Sequence, residues 1–133
     1  MANYYGQART NYFRVKDEAA FHEWCGRYEI STHPGADGTH TILAETEDGS
    51  FPYADYEEET GEWIDIDFFS ELSKHLAEGE VAIAQTTGSE KLRYLVGVAQ
   101  AVNSEGDFLE INIDDIYDLV REKWGVNPTV CEY

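Results

Sequence analysis

Apolar and polar positions along the chain switch from a period of two to one of about 3.6 three times, and each switch falls at an Asp suited to cap a helix. In the first, residues 12–15 alternate as a strand and Asp17 is the N-cap. Phe21, Trp24, Cys25 and Tyr28 then recur at helical spacing to about Arg27. In the second, residues 63–66 lead into Asp67, and Phe68, Phe69, Leu72 and Leu76 form the apolar stripe, with Gly79 placed to end the helix. In the third, residues 108–113 lead into Asp114, Ile116, Tyr117, Val120 and Trp124 form the buried stripe, and Gly125 stops the helix.

Between these units, residues 81–87 and 92–101 read as strands joined by Gly88-Ser89-Glu90-Lys91, and Asn103-Ser104-Glu105-Gly106 turns the chain into the strand at Phe108. A strand over 39–44 follows a loop over 33–38, and residues 53–58 pair through Thr60-Gly61 with the strand at Trp63. The pattern predicts a single α+β domain over 1–133, an antiparallel sheet of five to seven strands with three helices packed mainly on one face.

Composition supports folding: 42% hydrophobic and 14% aromatic residues supply a core for 133 residues. Charge narrows the partners. With 27 acidic and 9 basic residues the chain carries a formal charge of -18, which repels nucleic-acid phosphates and anionic lipid alike. Direct nucleic-acid binding and membrane association are therefore not expected. No apolar run spans a bilayer, the N-terminus does not read as a leader, and two cysteines fit reduced thiols, so a cell's cytoplasm is the expected location. The acids are clustered. Thirteen acidic residues and one base, Lys74, lie within residues 45–80.

Within that run, alternation predicts a face. If Ala54, Tyr56, Ile64 and Ile66 point inward, then Asp55, Glu57, Glu59, Trp63, Asp65 and Asp67 point outward, with Glu58 and Glu62 at the rim. Carboxylates two residues apart on a strand lie about 6.6 Å from each other, close to the phosphate spacing of an extended nucleic-acid strand. Two such rows would imitate a backbone before a DNA-binding groove. Like charges at neighbouring positions destabilise a hairpin, and a standing cost of that kind points to use. A second acidic candidate runs through Glu105, Asp107, Glu110, Asp114, Asp115 and Asp118. It becomes the better one if the hairpin register moves by a residue.

No catalytic residue, metal site or cofactor is predicted. The chain has no GxSxG elbow, GxGxxG turn, Walker loop, CxxC or HExxH, and its carboxylates fall in exposed patterns that do not shift a pKa. His22 and Cys25 at i, i+3 read as structural, and His33, Asp37 and His40 as parts of a loop. The aromatic and basic N-terminal residues Tyr4, Tyr5, Arg9, Tyr12 and Arg14 read as an outward strand face, with Phe13 and Val15 toward the core.

Two stretches, Arg9-Thr10-Asn11-Tyr12-Phe13-Arg14-Val15-Lys16-Asp17 and Glu90-Lys91-Leu92-Arg93-Tyr94-Leu95-Val96-Gly97, resemble those of small acidic proteins carried by phages, plasmids and conjugative elements. That group is similar as a class to anti-restriction and anti-CRISPR inhibitors. The resemblance implies genetic context and no catalytic residue. Together with the hairpin it gives the expected function: a non-enzymatic DNA mimic that inhibits a host defence nucleoprotein by binding its basic DNA-binding site. Two alternatives remain at this point. One is an immunity-type protein that neutralises a basic toxin nuclease. The other is an acidic cytosolic protein of a halophile, which would spread its acids evenly and unfold in dilute buffer.

Overall fold

The computed structural model describes residues 5–44, 49–90 and 94–131. Its elements in order are β1 (Tyr5–Thr10), α1 (Glu18–Arg27), β2 (Ser31–Pro34), β3 (His40–Ala44), β4 (Ala54–Glu57), β5 (Glu62–Asp65), α2 (Phe68–His75), β6 (Val81–Glu90), β7 (Tyr94–Asn103), β8 (Phe108–Asn112) and α3 (Asp115–Trp124). The chain is α+β. Six strands form an antiparallel sheet in the order β2-β3-β1-β6-β7-β8, and β4 and β5 form a separate two-stranded hairpin.

Asp17 and Asp67 act as the sequence pattern predicts. The Asp17 carboxylate accepts the Ala20 N–H at 3.1 Å and that of Asp67 accepts the Ser70 N–H at 3.2 Å, each satisfying a free donor of a first turn. The helices bury Phe21, Trp24 and Cys25 from α1 and Phe68 and Leu72 from α2. These meet Phe13, Ile30, Ile42, Leu76, Ala82 and Val102 in one core. Aromatic rings fill its centre: Phe13 meets Phe21 edge-on at 5.9 Å, and Phe68 stacks on Trp24 at 5.4 Å and on Phe51 at 4.8 Å.

Several boundaries differ from the sequence pattern, each for a local reason. The first strand lies over Tyr5–Thr10 rather than 12–15. Asn11 ends its ladder with β6 by donating to Val81 O at 3.1 Å and accepting from Ile83 N at 2.7 Å. The next residues then make two isolated bridges, Phe13 with His40 and Val15 with Leu76. The second helix stops at His75, because Leu76 turns extended into that bridge; Gly79, at φ +79, serves the following turn instead. Gly88, Ser89 and Glu90 pair with Val96, Leu95 and Tyr94, so they extend β6 rather than turn it. Lys91 and Leu92 of that expected turn and strand, like Tyr4, lie outside the described residues. His33 and His40 sit in β2 and β3 and not in a loop.

The third helix departs most. Gly125 caps it as expected, at φ +67, with its N–H donating to Arg121 O at 3.0 Å. The carboxylate of Asp114, by contrast, makes no cap bond, and Asp115 accepts the Asn112 N–H at 2.8 Å. None of the expected core residues is buried: Tyr117 and Val120 are half-exposed, and Ile116 and Trp124 stand in water. α3 leaves the sheet from its outermost strand, whereas the core face at Ile42, Ala82 and Val102 is already filled by α1 and α2.

Candidate functional site

The acidic hairpin is joined by a four-residue turn over 58–61, closed by Gly61, whose N–H donates to Glu57 O at 2.9 Å and whose φ is +70. The register follows from that turn: Ala54 pairs with Asp65, Asp55 with Ile64, Tyr56 with Trp63 and Glu57 with Glu62. Residues directly opposite share a face. One face therefore holds Ala54, Tyr56, Trp63 and Asp65, and the other Asp55, Glu57, Glu62 and Ile64.

This corrects the expected face. Asp55 and Glu57 do not lie beside Trp63 and Asp65, and Tyr56 does not point away from them. A turn with an even number of residues sets odd positions of one strand opposite even positions of the other, so the two parallel carboxylate rows do not form.

The arrangement concentrates charge at the tip instead. Glu57 and Glu62 face each other on adjacent strands, where side chains start about 5 Å apart, and Glu58 and Glu59 occupy the turn between them. Four carboxylates thus share one end of a hairpin. On the opposite face Trp63 is 71% exposed and meets the half-exposed Tyr56 ring at 5.3 Å, and Tyr53 stands exposed where Ile66 N–H donates to its carbonyl at 2.9 Å. Tyr53 and Tyr56 were missed by the alternation argument, which turned Tyr56 inward; the even-length turn was the signal that places it beside Trp63.

The other predicted residues of the hairpin have structural work. Asp67 caps α2, and Asp55 lies 3.5 Å from the Arg27 guanidinium at the base, where Ile66 packs on the core. Glu57, Glu58, Glu59, Glu62 and Asp65 have no hydrogen-bond donor or cation partner among the described residues.

The second acidic stretch differs in this respect. Asp107 accepts from Asn103 Nδ2 at 3.0 Å, Glu110 from Gln100 Nε2 at 2.8 Å and Asp115 from Asn112 N, while Asp118 pairs with Arg121 at 2.7 Å. Glu105 and Asp114 are exposed beside them. Four of its six carboxylates thus have a partner in a turn, across strands or along the helix, whereas those of the hairpin tip have none among the described residues.

Elsewhere, Cys25 is buried in the core and its thiol is pushed up from 9.0 to about 11 by burial. His40 lies 3.4 Å from Glu18 and packs edge-on against the His22 ring at 5.3 Å. Among the described residues no three His, Cys, Asp or Glu side chains gather as metal ligands. No helix among the described residues is long and apolar enough to cross a membrane. Comparisons of the chain with known protein families, with curated proteins and with solved structures find no match.

Proposed function

We propose that the chain is a non-enzymatic inhibitor that presents its acidic hairpin to a basic, nucleic-acid-binding site of a host defence nucleoprotein, in the manner of anti-restriction and anti-CRISPR proteins. The observation that carries this reading is the tip: Glu57, Glu58, Glu59 and Glu62 crowded together with no counter-charge among the described residues, and Trp63 exposed on the other face of the same hairpin. Each carboxylate that meets an Arg or Lys reserved for phosphate contributes about 1.5–3 kcal/mol where water is excluded, and far less at a wet rim. Trp63 with Tyr56, on the hairpin's other face, adds an apolar contact where the groove closes around both sides of the hairpin. The docked element is a carboxylate cluster with an aromatic flank, not a two-row copy of a phosphate backbone. The resemblance of residues 9–17 and 90–97 to mobile-element proteins supports a defence nucleoprotein as the target through genetic context, while a basic toxin nuclease would meet the same electrostatics.

The test is charge reversal in two separate variants, Glu57→Lys with Glu62→Lys and Asp115→Lys with Asp118→Lys, each first checked for a native melting transition. Capture of a nuclease complex from bacterial lysate and inhibition of its DNA cleavage are then measured. The hairpin variant should lose both and the α3 variant should keep both. The reverse pattern places the interface on α3, and capture of a toxin nuclease with no defence complex favours the immunity reading.

A further inference from the structure

The sheet has a second face, bordered at Leu95 by Tyr117 and Arg121 of α3 and by Val130, and bare over the rest of β6, β7 and β8 among the described residues. The registers of β6, β7 and β8 put Ala82, Val102 and Phe108 on the core side, so Val81, Ile83, Leu95, Leu109 and Ile111 project from the other side, with Ile113 just beyond β8. Each of these six leaves between 41% and 75% of its surface in water. Ala99 and Ala101 lie between them, and Gly97 lets Ile113 approach the sheet backbone, bordering a furrow of about 310 Å³. Six such side chains place on the order of 600 Å² of apolar surface in one patch, the upper limit of what a lone soluble chain exposes. The small and polar positions between them bring the face to roughly the 800 Å² that each partner gives a standard interface.

Charge identifies the occupant. The chain has 27 acidic residues, yet none of the side chains that β6, β7 and β8 present on this face is a carboxylate. A basic partner gains nothing there, and among the described strand residues of this face a nucleic acid meets only Arg9, on the neighbouring strand β1. Two copies of a chain with charge -18 can approach through strands that carry no acids on this face, and a two-fold interface requires a patch complementary to itself. We propose that this face is the interface of a homodimer in which the two sheets pack face to face, about 10 Å apart. The hairpin, tied to α1 on the core side, then stays outward on both copies, and the dimer offers two acidic tips to its target.

Sedimentation equilibrium and light scattering on the full chain test this. The wild-type chain should have twice its 15.1 kDa mass at micromolar concentration, and Leu109→Glu with Ile111→Glu should be monomeric with an unchanged circular dichroism spectrum. Ile83→Lys, on a different strand of the same face, should also be monomeric and serves if the first variant fails to fold. Leu119→Glu with Trp124→Glu on α3 should remain dimeric. A wild-type chain that is monomeric up to ~100 µM, a dimer that survives both face variants, or one lost only with the α3 variant overturns the proposal. Mass is read without the target, so the dimer and the hairpin's role fail independently.

Discussion

Trp63 and Leu72 separate the two uses to which this chain puts its large apolar side chains. Leu72 is fully buried between the helices and the sheet, and Leu72→Ala should lower unfolding free energy by about 2–5 kcal/mol in a denaturant titration, through lost transfer energy and the cavity left behind. Trp63→Ala removes a larger side chain that is mostly in water, so stability should change by only about 0.5 kcal/mol, while capture of the target falls. Cys25 gives a prediction in pH. Its folded pKa is raised from 9.0 to about 11, so above pH 9.0 the unfolded chain ionises first and stability drains away as pH rises toward 11. Two pKa units correspond to about 3 kcal/mol at most. The melting temperature of the wild-type chain should fall across that window more steeply than that of Cys25→Ala; parallel curves would contradict a buried neutral thiol.

The elements differ in how far they could be read from local pattern. Asp17, Asp67 and Gly125 announce helix ends because capping is decided within a few residues. The end of α2 was not legible, since Leu76 leaves the helix to meet Val15, sixty-one residues away in the chain, and no nearby residue records that pairing. The stripe of α3 is amphipathic as expected, but periodicity says which face is apolar and not whether anything lies against it. In the hairpin the acidic cluster was legible and its geometry was not, because the face assignment depended on the length of a turn. Glu57 opposite Glu62 costs the hairpin stability, so Glu57→Lys should raise the stability of the folded chain by about 0.2–1 kcal/mol through an opposite-charge pair. A scan by thermal melting should find the variant as stable as the wild type or more so, and the capture assay should find it weaker. A variant both less stable and fully active would mean that the pair is structural.

At the scale of the molecule, sidedness organises the chain: α1, α2 and the hairpin on one face of the six-stranded sheet, and on the other an apolar surface of β6, β7 and β8 whose strand positions carry no carboxylate. Acids are concentrated in residues 45–80 rather than spread evenly as the halophile alternative expects. The chain should therefore melt cooperatively in dilute buffer, where a halophilic protein has already unfolded. The measurement that bears most directly on the acidic hairpin as a competitor of nucleic acid is displacement. Fluorescently labelled DNA is bound to the captured nucleoprotein and the purified chain is titrated in, with anisotropy recorded at several salt concentrations. The account predicts stoichiometric release of the DNA, unaffected by EDTA, weakened by added salt and abolished by Glu57→Lys with Glu62→Lys. A ternary complex that retains its DNA, or release that requires a metal and only catalytic amounts of the chain, would contradict it.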